Sequence, residues 1–264
     1  IRIRNEEWLQ LQTEIMADPK KQPIDLTRRK LVRIFSEGRF DRGGRFYRGW
    51  WENVPSEYRK YITIDGKRTN EYDYSQLNPH MVYILRDKEL GSEDAYGRVF
   101  DGEHRDLVKE AFNAMVQSAT PLLREPKDID LSEVDFDWPF LRQAILDAHK
   151  PIQDMFFKGH GNYLQYIDSV MAEDILLKFV RTEFVPVLPV HDSFIIHHGH
   201  GELSELEEDM RRAFHGHFKK DIKVREEIGV MLPSSFDGRE WNDLTFEEQI
   251  QGPPEYSQWE DRNS

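Results

Sequence analysis

The stretch Glu71-Tyr72-Asp73-Tyr74-Ser75-Gln76-Leu77 places one aspartate in a short segment whose polarity alternates like that of a β-strand. A carboxylate on the buried face of a strand is costly unless it binds a metal or is hydrogen-bonded. The preceding Tyr61-Ile62-Thr63-Ile64 also reads as a strand, and Asp65-Gly66 supplies a hairpin turn between the two. From Asn78 to Asp87 the pattern becomes helical, with Pro79 tolerated in the first turn. Two readings of Asp73 stay open: a metal-binding carboxylate, or a hairpin-edge aspartate capping the helix near Asn78.

A second aspartate occupies a comparable place in Val187-Leu188-Pro189-Val190-His191-Asp192-Ser193-Phe194-Ile195-Ile196. Val185 to Ile196 reads as two strands joined tightly near Leu188-Pro189 or Val190-His191. Apolar residues flank Asp192 on both sides, and a carboxylate at such a turn is presented at the sheet's edge to a hard cation. Between the aspartates, residues 103–117 predict a helix. Leu107, Val108, Ala111, Phe112 and Met115 form its apolar stripe; Arg105, Lys109, Asn113 and Gln117 form a polar ridge at four-residue spacing. Arg105 and Lys109 alone are an ordinary solvated face. Two carboxylates able to share divalent metals, with a cationic ridge for a triphosphate, are the parts nucleotidyl transfer needs.

The chain of 264 residues can bury a sizeable core, as one large domain or two small ones. Aromatic residues make up 12%, too many for a fully disordered chain. The absence of cysteine excludes disulfides and cysteine-based zinc sites and fits a reducing cytoplasm. No signal peptide, transit peptide or membrane-spanning run is visible, so no membrane partner is expected. A first residue other than Met suggests a fragment.

A net charge of −13 argues against nonspecific coating of nucleic acid. Lys20 to Arg48 nevertheless holds ten Lys or Arg against three Asp or Glu, interleaved with Phe40, Phe46, Tyr47, Trp50 and Trp51. Such a mixture suits phosphates and stacked bases, or a solvated basic helix followed by an aromatic core strand. A helix is predicted over 5–16, and another after Asp25, carrying Leu26, Leu31, Ile34 and Phe35 with Thr27 as its cap. Gly43-Gly44 ends that pattern. Residues 124–137 read as a loop, 138–157, 166–182 and 202–220 as helices, and Ser234 onward as an acidic, Pro-containing tail. His197, His198 and His200 with His191 suggest a transition-metal site, but Gly199 and Gly201 place them in a flexible loop.

In this order the segments resemble family A DNA polymerases and the phage-type single-subunit RNA polymerases. Asp73-Tyr74-Ser75-Gln76-Leu77 resembles the first metal-binding palm motif of family A. His191-Asp192-Ser193 resembles the second, in the form more typical of the RNA polymerases. Arg105-x-x-x-Lys109 resembles the start of the nucleotide-binding fingers helix. Gly44-Arg45 and Pro55 precede them as the family's primer–template segment does, and Ser169 to Asp174 resembles the helix leading into the second palm aspartate. The resemblance covers roughly residues 40–230.

What the resemblance implies is an α+β right-hand palm with an antiparallel sheet, reduced helical fingers and little or no thumb. The expected divisions are an N-terminal helical basic segment (1–40), a first palm part (41–92), fingers (93–164), a second palm part (165–233) and the tail (234–264). Asp73, Asp192 and the Tyr74 carbonyl would bind two Mg²⁺, or Mn²⁺. Arg105 and Lys109 would serve the triphosphate, Arg45 the primer–template and His191 the primer end. Gln76, Asn78, Asn113 and Gln117 complete the expected substrate contacts. Partners would be a DNA or RNA primer–template, nucleoside triphosphates and a protein supplying processivity.

The departures bear on substrate. Asn78 stands where family A DNA polymerases carry the Glu that helps exclude the ribose 2′-hydroxyl, Ser193 replaces their Glu, and the fingers helix has no Tyr-Gly pair. These departures admit ribonucleotide use, while the family A motifs keep a compact family A-like DNA polymerase as the first reading. An RNA polymerase or primase-like enzyme comes second, and an inactive palm-derived nucleic-acid-binding module third.

Overall fold

The computed structural model describes residues 1–18, 21–197 and 205–228. Its sheet is organised around β5 (Lys67–Tyr74). Asp65 and Gly66 have φ of 52° and 74°, left-handed conformations suited to a two-residue hairpin. They fold β5 back on β4 (Ile62–Ile64), with Ile64 opposite Lys67. Further along, β5 pairs antiparallel with β7 (Ser193–His197), Asp73 opposite Ser193, and with β8 (Val224–Ile228), Asp73 opposite Arg225. β6 (Leu188–Val190) joins β7, and β1 (Arg2–Ile3) joins β4, giving a six-stranded antiparallel sheet.

The two-residue period of the strands divides the apolar side chains between two cores. Tyr72 and Tyr74 of β5, Phe194 and Ile196 of β7 and Val224 of β8 enter the larger one. There they meet α3 (Leu77–Leu85), α4 (Arg105–Gln117), α5 (Trp138–Ala148), α6 (Gly161–Lys178) and α7 (Glu205–Phe218) through Met81, Phe112, Ile145, Met171 and Phe214. Ile62, Ile64, Leu188, Val190 and Ile195 enter the other, with Trp50, Trp51 and α1 (Asn5–Ala17). Because β7 is buried on both sides, its apolar run is continuous rather than alternating. Two hydrogen bonds anchor the ends of the site-bearing strands: Tyr74 Oη donates to the Met210 carbonyl at 2.6 Å, and Trp51 Nε1 to that of Pro189 at 3.0 Å.

The helices expected at 5–16 and 103–117 are present within a residue or two at each end. The helix expected after Asp25 is not. Leu26, Leu31, Ile34 and Phe35 mimic a helical stripe, but Val32–Phe35 forms β2 and pairs with β3 (Gly43–Tyr47). The hairpin lies on α6, where Arg33 donates to Ser169 Oγ at 2.8 Å and Glu173 Oε2 at 2.6 Å, and to the Gly44 carbonyl at 2.8 Å. The Gly pair starts β3 rather than breaking a helix. Gly44 has φ of 87°, and a Cβ there would sit 2.8 Å from the Phe35 ring and 2.9 Å from Ser169 Oγ. Strand β8 has no counterpart in the sequence reading. Residues 138–157 divide into α5 and a 3₁₀ turn, Lys150–Met155. His198, His200 and the tail from Ser234 lie outside the described residues. No described helix is long and apolar enough to cross a membrane.

Candidate active site

A two-residue turn links Val190 of β6 to Ser193 of β7, so His191 and Asp192 occupy its tip. His191 has φ of 57°, a left-handed conformation in which His is several-fold enriched. Since Ser193 is opposite Asp73, the turn brings Asp192 beside the end of β5. Directly after β5, Gln76 adopts φ of 56° and starts α3. Its Oε1 accepts the Ala95 N–H at 2.6 Å, which pins the irregular segment before α4 against the site.

These elements enclose a cleft of about 430 Å³. All eleven residues singled out from the sequence line it: the two aspartates, Arg45, Tyr74, Gln76, Asn78, Arg105, Lys109, Asn113, Gln117 and His191. The side chain of Tyr74 is committed to the core, so its main-chain carbonyl is the oxygen it can offer. The open alternative for Asp73, a helix cap, is not what forms: the residue preceding α3 is Gln76, and no side chain caps that helix.

The electrostatics centre on Asp73. Burial pushes its carboxyl up to about 7, and the neighbouring Asp192 charge adds to the rise. Lys109, Glu71 and Arg225 act on it more weakly: the two cations lower it and Glu71 raises it. A divalent cation would relieve the cost of ionising Asp73 beside the Asp192 charge. With the Tyr74 carbonyl the two carboxylates would offer oxygen donors alone, the kind Mg²⁺ takes when substrate and water complete its shell. No cluster of three or more His, Cys, Asp or Glu able to hold a metal occurs among the described residues.

The cations of the cleft are differently engaged. Arg105 is bound to Asp94, with one contact at 3.3 Å, and lies 5.4 Å over the Tyr96 ring. Lys109, one helical turn further along α4, forms no ion pair among the described residues. Arg45 donates from Nε to Asp168 Oδ2 at 2.6 Å; Asp168 sits on α6 and is 1% exposed. Burial pushes the Asp168 carboxyl up to about 7 even against that guanidinium. Asn78 donates to Asn113 Oδ1 at 3.0 Å.

Half of the ten cations between Lys20 and Arg48 are held in ion pairs among the described residues. Arg28 pairs with Asp25, Arg33 with Glu173, Arg39 and Arg42 with Asp41, and Arg45 with Asp168. Several cleft residues escaped the sequence reading. Glu71 accepts from Ser193 Oγ at 2.5 Å and from Arg59 Nε at 2.9 Å. Its position two residues before Asp73, on the same strand face, was the signal available. Tyr96, Arg225 and Glu227 also line the cleft. Nothing local marks them, since Tyr96 belongs to an irregular segment and the other two to β8.

No family model and no curated protein matches this chain. Among solved structures, it is similar to the POL domain of Pol1 from M. smegmatis, in complex with DNA primer-template and dNTP. The TM-score is 0.45 at 15% identity, over 69% of this chain and 45% of that one. The chain thus spans less than half the length of that polymerase chain.

Proposed function

We propose that this chain is a template-directed nucleotidyltransferase, adding nucleotides from a triphosphate to a 3′-hydroxyl as a compact DNA polymerase. In this reading the antiparallel sheet is a palm, residues 93–164 act as reduced fingers and residues 1–40 lie beside the nucleic acid. The single observation that carries it is the meeting of Asp73 and Asp192 at one end of the sheet, with Lys109 and Arg105 of α4 lining the same cleft.

Asp73, Asp192 and the Tyr74 carbonyl would hold Mg²⁺, or Mn²⁺. Bound there, the cations would lower the pKa of the 3′-hydroxyl and neutralise charge on the triphosphate and the departing pyrophosphate. Lys109 would stabilise negative charge near the leaving group or donate a proton to it. Arg105 would meet the outer phosphates by exchanging the Asp94 carboxylate for a phosphate of matching fork geometry. Asn78, Asn113, Gln76 and Gln117 form the polar wall available to the incoming nucleotide. His191 and Arg45 lie near Asp192 in the same cleft, where His191 would meet the primer end and Arg45 the primer–template.

One observation favours ribonucleotides as a second reading. The place where the superfamily's DNA polymerases carry Glu holds an Asn78–Asn113 amide pair, which presents no carboxylate to a sugar. The test is extension of a labelled primer–template with Mg²⁺ or Mn²⁺, with dNTPs and NTPs in separate reactions. Extension that Asp73→Ala and Asp192→Ala each abolish supports the proposal, and the preferred nucleotide chooses between the two readings. No extension by wild type in any reaction removes it in favour of a binding module.

A further inference from the structure

We propose that Arg225 of β8 holds a backbone phosphate of the strand whose 3′-hydroxyl is extended, an assignment resting on the nucleotidyl-transfer reading above. Antiparallel register sets Arg225 directly opposite Asp73, and opposed residues stand about 5 Å apart at Cα. The register is fixed from both sides. Val224 packs in the core, and Glu226 accepts from Tyr72 Oη at 2.7 Å and Asn70 Nδ2 at 2.8 Å.

Most cleft cations already have a carboxylate: Arg105 has Asp94, Arg45 has Asp168 and Arg59 has Glu71. Lys109 and Arg225 form no ion pair among the described residues, and both act electrostatically on Asp73. They come from different elements, Lys109 from α4 and Arg225 from β8. The proposed reaction needs two phosphorylated substrates to meet at Asp73, a triphosphate and a strand end. With Lys109 and Arg105 allotted to the triphosphate and Arg45 tied to the buried Asp168, the exposed guanidinium of Arg225 is the cation, unpaired among the described residues, placed to take a phosphate of the strand.

A second groove of about 320 Å³ adjoins the cleft and shares Arg59, Glu71 and Glu227 with it. It gives a strand held at Arg225 a way out past Lys60. Its charges lean acidic, Arg59 and Lys60 against Glu57, Glu71 and Glu227. Such a lining fits one phosphate contact at Arg225 and no extended cationic track along the groove.

The experiment measures binding by fluorescence anisotropy, with labelled primer–template and labelled triphosphate in separate Mg²⁺ titrations, for wild type, Arg225→Gln, Arg225→Lys and Lys109→Gln. Arg225→Gln is expected to weaken primer–template about tenfold, the loss of one charged hydrogen bond, and to leave triphosphate affinity in place. The slope of log Kd against log salt should fall by about 0.7 to 0.9, one phosphate's share. Arg225→Lys should restore most of the affinity, and Lys109→Gln should show the converse selectivity. Loss of Mg²⁺ or triphosphate affinity in Arg225→Gln with primer affinity unchanged would overturn the assignment and make Arg225 a counter-ion of Asp73. An extending wild type with an indifferent Arg225→Gln would sink this inference alone, whereas a wild type that binds no primer–template would sink the reading beneath it too.

Discussion

Replacing Asp73 by Asn removes a carboxylate that the folded chain ionises only at a cost. Burial and the Asp192 charge hold this group at about 7, against 3.8 for a free aspartate. At about 1.4 kcal/mol per tenfold change, the disfavoured ionised form costs at most about 4 kcal/mol, and solvent access to a half-buried group trims this to about 2–4 kcal/mol. The sign follows from linkage. A carboxyl titrating higher when folded keeps its full contribution to stability below about pH 4 and loses it as pH rises through 7. Asn, shaped alike and uncharged, avoids that loss. Asp73→Asn should therefore match wild type in urea unfolding at pH 4 and exceed it by about 2–4 kcal/mol at pH 8. Adding Mg²⁺ at pH 8 should narrow the gap by binding wild type, since a ligand of the native state stabilises it by mass action. Equal stability of the two proteins at pH 8, or a gap of the same size at both pH values, would refute the paired-carboxylate account.

Other expectations concern the supports of the site. Arg45→Met leaves Asp168 buried and unpaired and should cost about 3–5 kcal/mol in chemical denaturation, much of it recovered in Arg45→Met/Asp168→Leu; a double variant no better than the single would show that packing, not charge, is at stake. Gly44→Ala puts a methyl against Phe35 and Ser169 at a positive φ, and a thermal midpoint lowered by several degrees is expected, with an unchanged midpoint as the contrary result. Phe112→Ala empties the centre of the larger core beside His149 and Phe156, at about 3–5 kcal/mol read from urea midpoints. Lys109→Ala should weaken triphosphate binding about tenfold and, by removing a cation that lowers the Asp73 carboxyl, widen the Asp73→Asn stability gap at pH 8; unchanged affinity by titration calorimetry would dismiss the triphosphate role.

Much of the site was legible because its signals are short-range. Strand alternation around Asp73, the Asp65-Gly66 turn and the stripe of α4 each act within a few residues, and the structure forms all three. Of the two positions left open for the tight turn, Leu188-Pro189 and Val190-His191, the structure comes nearest the second, and the pairing of Val190 with Ser193 sets the turn one residue further on, at His191-Asp192. The convergence of residues from β3, β5, α3, α4 and the β6–β7 turn on one cleft was an expectation of motif order, and the fold brings them together.

Other features depended on partners distant in the chain. Val32 to Phe35 can be drawn as a helical face or as a strand; β3 and the α6 side chains Ser169 and Glu173 make it a strand by engaging Arg33. The fold also takes Arg33 and Arg45 out of the basic cluster as free cations, since their carboxylates, Glu173 and Asp168, reach them only once the chain is folded. Strand β8 has a sequence, Val224-Arg225-Glu226-Glu227-Ile228, that carries little intrinsic strand signal. The ladder with β5 and the hydrogen bonds to Glu226 put it there, and with it Arg225 opposite Asp73. The sequence by itself determined which residues could carry the chemistry, through local periodicity and residue type. Only the tertiary structure decided which charges meet, because burial and contacts across more than a hundred residues set the pKa of Asp73 beside Asp192 and the pairing of Arg45 with Asp168.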